Sequence, residues 1–193
     1  DGYFLEGEKN FASRKYSEGV NKVNEAIRLA DSNPVYKLML AINVYEMLIA
    51  NKQISSENRF SLLRQAADNI ISAKRNHYNK NRCDAVLSLI YFEMGRNDEA
   101  ERIKKEVLGG DPVNISYRLS LTMHYTEAND LNSAKDQLEA VLGTNYNAMN
   151  VWSVAAYYYE RTNNIEEAKK YCHKILAADP QNRYAAEFLI RHK

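Results

Sequence analysis

Apolar residues recur along this chain at helical spacing. Leu131, Ala134, Leu138, Val141 and Leu142 fall at i, i+3, i+7, i+10 and i+11, and Ile165, Ala168, Cys172, Ile175 and Leu176 repeat that pattern. Such spacing lays one apolar stripe along a helix. A polar break precedes each helix: Gly95-Arg96-Asn97-Asp98, Ala128-Asn129-Asp130 and Thr162-Asn163-Asn164. These supply turn formers and N-cap oxygens for the helix that follows. Second breaks come at Gly109-Gly110-Asp111-Pro112, Gly143-Thr144-Asn145 and Ala178-Asp179-Pro180. Here glycine is expected as a left-handed C-cap, and proline blocks continuation. One period is therefore a helix, a tight turn, a second helix and a second turn.

The period itself is regular. Ala66, Ala100, Ala134 and Ala168 stand 34 residues apart, and Tyr91, Tyr125 and Tyr159 each precede one of the last three alanines by nine. Leu87, Leu121 and Ala155 precede those tyrosines by four, and Pro112 and Pro180 follow Ala100 and Ala168 by twelve. Self-similarity at a period of about 20 to 50 residues indicates stacked repeats, which usually present a binding surface.

Composition narrows the function classes. Of 193 residues, 45% are apolar and 26% charged, enough for a continuous core under a polar surface. Net charge is +1, from 26 basic and 25 acidic residues, which leaves no electrostatic footprint for nucleic acid. The longest apolar stretch, Leu38 to Ala50, contains Asn43 and Glu46 and is too short to cross a bilayer. No signal peptide is visible. The chain opens at Asp1, already in repeat-like sequence, which points to a fragment of a larger bacterial protein.

Tryptophan and tyrosine complete the pattern. Trp152-x-x-Ala155-Ala156-x-x-Tyr159, followed by Ala168-x-x-x-Cys172, Ile175 and Pro180, resembles the tetratricopeptide repeat (TPR) signature W-x-x-L-G-x-x-Y…A-x-x-x-F…P. In that register repeats begin at Asn81, Ile115 and Met149, with Ser88, Thr122 and Ala156 in the small-residue slot. Ala41, Ile42 and Tyr45 fit a repeat spanning 35–80, but Tyr45 and Ala66 are 21 residues apart, leaving a 12-residue insertion placed at Asn51 to Asn58. Tyr3, Gly7, Tyr16, Gly19, Val23 and Ala26 fit a repeat over 1–34. A capping helix over 183–193 is expected to cover the last repeat with Ala185, Ala186, Leu189 and Ile190, turning Glu187, Arg191 and Lys193 to water. The expected fold is a single all-α domain, a right-handed superhelical solenoid of five hairpins plus that cap.

The resemblance also implies a working surface. In TPR proteins the first helix of each repeat lines a concave groove. The corresponding positions here give a partner-binding set of Phe4, Glu8, Met39, Asn43, Glu46, Leu89, Phe92, Met123, Tyr157 and Glu160. An apolar, methionine-containing lining with an acidic fringe suits an amphipathic helix or extended apolar peptide. Leu89 and Leu119 are equally explained by packing between neighbouring first helices. The clamp that holds chaperone C-terminal carboxylates needs Lys and Asn at set positions of this face, and only Asn43 fits, so that specificity is not expected.

Catalytic and metal signatures are lacking. His77, His124, His173 and His192 show no metal-ligand spacing, and there is no Cys-x-x-Cys. Cys83 and Cys172 stand more than two repeats apart and are not expected to pair. Neither a nucleophile elbow nor a phosphate-binding loop is present. The expectation is a non-enzymatic scaffold without cofactor or metal, binding a protein or peptide. A second resemblance carries the alternative. The extended second repeat and the segments Asp111-Pro112-Val113-Asn114 and Asp179-Pro180-Gln181-Asn182 look like TPR tails of bacterial O-antigen ligase/polymerase-type membrane proteins. It implies an accessory domain outside the cytoplasmic membrane.

Overall fold

The computed structural model describes residues 2–30, 33–51, 53–76 and 78–192. Lys52, His77 and Lys193, on which some expectations fell, lie outside them. Eleven helices and no strand occur among the described residues: α1 (Gly2–Ala12), α2 (Tyr16–Leu29), α3 (Pro34–Ala50), α4 (Ser56–Arg75), α5 (Lys80–Glu93), α6 (Asn97–Gly110), α7 (Ile115–Glu127), α8 (Leu131–Leu142), α9 (Met149–Arg161), α10 (Ile165–Ala178) and α11 (Arg183–Arg191). Packing divides the chain into a unit up to Gly110 and a unit from Asp111. Within each, consecutive helices pair as hairpins, α1–α2, α3–α4 and α5–α6 in the first, α7–α8 and α9–α10 in the second, which α11 closes. No described helix is long and apolar enough to cross a membrane.

Asparagine sets the helix starts. The side chains of Asn33, Asn79, Asn114 and Asn182 accept hydrogen bonds from the backbone N–H of Val35, Arg82, Tyr117 and Ala185, capping α3, α5, α7 and α11. Asp130 and Asn164 do the same for α8 and α10. Each cap satisfies a backbone donor that has no partner within the helix.

The left-handed positions are not the glycines expected to end the second helices. Gly95, Asn129 and Asn163 have φ of 73°, 60° and 57° in three successive hairpin turns. Beyond each, a backbone N–H closes back on a tyrosine carbonyl: Arg96 on Tyr91, Asp130 on Tyr125, Asn164 on Tyr159. Gly109 and Gly110 instead end α6 without positive φ, and Gly143 is right-handed at φ −66°. The sharp reversal within these hairpins uses an αL residue, and between α8 and α9 the left-handed position in the Gly143-Thr144-Asn145 break is Asn145, at φ 58°.

The 34-residue alanines are all buried, on α4, α6, α8 and α10. Ser88, Thr122 and Ala156 are fully buried on α5, α7 and α9, and the two hydroxyls donate to carbonyls of their own helices, Ala85 and Arg118. Small side chains let paired helices approach, and back-bonding removes the cost of burying the hydroxyls. Gly7 and Gly19 serve that purpose on α1 and α2. A Cβ on Gly7 would stand 2.5 Å from Val23 Cγ2, and one on Gly19 2.9 Å from the Phe11 ring.

The extra length of residues 35–80 is mostly helix. Only the segment from Asn51 to Ser55 separates α3 from α4, while Ser56, Glu57 and Asn58 form the first turn of α4. Measured from the buried alanines, α4 starts about two turns earlier than α6 does. Those turns are largely exposed but anchored: Arg59 donates 2.7 Å to the Leu48 carbonyl and pairs with Glu93 at 2.6 Å. Polar composition marked Asn51 to Asn58 as surface, and the Ser55 hydroxyl, accepting from Asn58 N–H, starts a helix within it.

The cap is rotated from its expected face. Ala185 and Phe188 are fully buried, Leu189 is half-buried and Ile190 is 63% exposed. Phe188 carries the largest apolar surface at i+3 from Ala185, so burying it sets the orientation of α11.

Candidate functional site

The first helices bring the predicted residues together in two groups, one per unit. In the first unit, Phe4 of α1 stacks on Tyr36 of α3 with centroids 4.5 Å apart. One turn on along α1 and two along α3, Asn43 Nδ2 donates to Glu8 Oε1 at 2.6 Å. Met39 is half-buried, and Arg82 Nη2 of α5 lies 3.9 Å from its sulfur. Leu89 and Phe92 are buried in α5, so they belong to the packing of this unit. In the second unit Met123 is 39% exposed on α7 and Tyr157 half-buried on α9, its hydroxyl donating to Glu127. Glu160 is held by the cap: Tyr184 Oη donates to it at 2.8 Å and Arg191 Nη2 at 3.1 Å. Burial and this carboxylate together raise the Tyr184 phenol far above its ordinary range.

Beside Glu8 and Asn43 lies a cleft of about 430 Å³, with Phe11, Arg14 and Tyr16 on one side and Glu46 and Met47 on the other. Phe11 occupies a groove-lining position in the repeat register, whereas Tyr16 was placed only as a pattern residue of the first repeat. Only the hairpin turn at Arg14 (φ 58°) places them at an opening. Glu46 is exposed as a residue, yet neighbouring atoms desolvate its carboxyl and, with Glu8, raise its pKa. A carboxyl shifted upward favours the folded state below its ordinary range and loses that contribution as pH rises through the raised value. Glu46→Gln is therefore expected to flatten the decline in first-unit stability as pH rises above the usual carboxylate range, measured by urea unfolding at several pH values. Glu8, Arg14 and Tyr16 are the other titratable groups lining the cleft.

Ion pairs one turn apart concentrate on four of the second helices. Exposed faces of the second helices carry ion pairs one turn apart: Glu25–Arg28 on α2, Arg102–Glu106 on α6, Lys135–Glu139 on α8, Glu166–Lys169 and Glu167–Lys170 on α10. Such pairs solvate a helix face and add little stability. The first helices carry such a pair in Lys80–Asp84 on α5, and include the partly accessible side chains of Phe4, Met39, Met123 and Tyr157.

Reactive groups are muted. Cys83 and Cys172 are free and buried, and burial pushes the Cys172 thiol up to about 11, away from the thiolate. No group of three or more His, Cys, Asp or Glu among the described residues is arranged to hold a metal ion. His124 is half-buried beside Tyr125, in edge-on contact with its ring.

Residues 150–182 match the tetratricopeptide repeat family model. The whole chain superposes on TTC0263, a TPR protein of Thermus thermophilus, with a TM-score of 0.71 at 16% identity over 98% of both chains. This is a TPR fold. A TPR protein of Parabacteroides merdae aligns with TM-score 0.53 and 14% identity over 97% of this chain and 69% of its own. YrrB, a TPR protein with an unusual peptide-binding site, aligns with TM-score 0.50 and 14% identity over 96% and 89%. No curated protein sequence matches the chain. At these identities the likeness to solved structures concerns the fold alone.

Proposed function

We propose that this TPR domain is a non-catalytic scaffold that binds a protein segment or peptide on its first-helix faces. The observation that carries the reading is the set of partly accessible aromatic and methionine side chains on four of the first helices. The exposed faces of α6, α8 and α10 carry internal ion pairs, whereas Phe4, Met39, Met123 and Tyr157 keep partly accessible apolar surface on α1, α3, α7 and α9. Aromatic anchors and adaptable methionines are the side chains that interfaces favour. Tyr157 is preorganised by its bond to Glu127 and so loses little freedom on binding.

The test uses peptides selected from a displayed random library against the intact domain. Met123→Ala combined with Tyr157→Ala should weaken them by about 1–3 kcal/mol, read by calorimetry. Lys135→Ala on α8, at the ion-paired face, should leave them unchanged. Undiminished affinity in the double variant would move the working surface away from α7 and α9.

A further inference from the structure

The cleft beside Glu8 differs in chemistry from the rest of the first-helix face. It joins carboxylates from two helices, Glu8 of α1 and Glu46 of α3, to an aromatic wall of Phe11 and Tyr16 with ring centroids 6.5 Å apart. Glu8 is fixed by its bond from Asn43. Glu46 makes no hydrogen bond or ion pair among the described residues, although Arg14 lines the same cleft. A volume of about 430 Å³ lies in the range of small-ligand sites and has room for a long side chain.

We infer that this cleft seats the cationic side chain of a lysine or arginine in a bound peptide, with its methylene stem on Phe11 and Tyr16 and its charge on Glu46 and Glu8. Two carboxylates in partly desolvated surroundings attract a cation more strongly than they would in water. An aromatic wall suits both an aliphatic stem and a cationic head. Competing occupants fit less well. Calcium takes six to eight oxygen ligands, and the cleft offers two carboxylates and the Asn43 amide beside a cationic Arg14. An anion drawn to Arg14 would meet both glutamates. The upward shift of the Glu46 carboxyl, caused by desolvation and by Glu8, agrees with the geometry. A cation seated there would reverse the shift, so binding at mildly acidic pH should release a proton.

As to its natural ligand, the inference rests on the peptide reading above, but the cleft can be tested alone. The probe is N-acetyl-lysine N-methylamide, titrated into the isotope-labelled domain and followed by NMR, with the uncharged norleucine analogue as control. Saturable shifts are expected at the Asn43 side-chain amide and at Arg14, with a midpoint on the order of millimolar. They should be absent with norleucine and at least tenfold weaker in Glu46→Gln and in Glu8→Gln, whose amide oxygen can still accept from Asn43. An equal response to norleucine, or an unchanged midpoint in both variants, overturns the inference. A lysine-specific response alongside undiminished peptide binding in the Met123/Tyr157 variant would uphold the cleft and overturn the assignment of α7 and α9 to the working surface. The reverse pair of results would sink the cleft alone.

Discussion

Phe188→Ala should destabilise the second unit by about 3–5 kcal/mol. Phe188 is the largest fully buried side chain, although it belongs to a helix of only nine residues. A helix that short has little stability of its own. It stays docked because Phe188 and Ala185 bury their apolar surface, while Tyr184 and Arg191 hydrogen-bond Glu160 of α9. The hydrogen bonds offset the desolvation of Glu160 but contribute modestly on balance, so the ring is expected to dominate. Removing it leaves a cavity and lets α11 detach, exposing the apolar side of α10 that a terminal repeat needs covered. Urea unfolding gives the size of the loss, and hydrogen exchange locates it. Rapid exchange should spread through α11 into α9 and α10. A loss below about 1 kcal/mol with α11 still protected would show that the polar contacts hold the cap.

The same helix shows which parts of the fold were legible from sequence. Repeat spacing identifies residues that must be small or apolar in every copy, and Ala100, Ala134 and Ala168 are each fully buried. Asparagine breaks were equally legible, because caps are local hydrogen bonds between a side chain and a nearby backbone group. The rotation of α11 was not. Ile190 and Phe188 both read as apolar, and their different fates depend on what α10 offers. The added turns of α4 escaped notice for a related reason. Ser56 to Asn58 is polar whether it forms a loop or the exposed start of a helix, and Arg59 reaching Leu48 and Glu93 is a tertiary event.

The candidate site divides along the same line. The resemblance to the TPR register places Phe4, Met39, Met123 and Tyr157 on first helices, and all four keep some exposure. It cannot tell a lining residue from one used for packing, and Leu89 and Phe92 are buried. Nor can it say which carboxylates are already engaged: Glu160 is bonded to the cap and Glu8 to Asn43, whereas Glu46 is not so held.

Leu121→Ala should cost about 2–5 kcal/mol, and Met123→Ala should change stability by about 0.5 kcal/mol or less. The two residues are neighbours on α7, about 200° apart around the helix axis. Leu121 has 0% exposure and Met123 39%. Truncating Leu121 removes buried contacts and leaves a cavity, since Thr122 and Tyr125 beside it are buried and α7 is held against α8. Truncating Met123 removes a flexible side chain that already meets water. The binding consequences should be inverted: Met123→Ala should weaken a first-helix ligand in a domain that unfolds normally. Leu121→Ala should leave the affinity of the folded fraction near its original value at a temperature where the domain remains folded. Thermal unfolding and calorimetry on both variants give the four numbers required. Equal stability losses at the two positions would mean that the apolar face of α7 is wider than its periodicity indicates, with Met123 part of the core rather than part of the site.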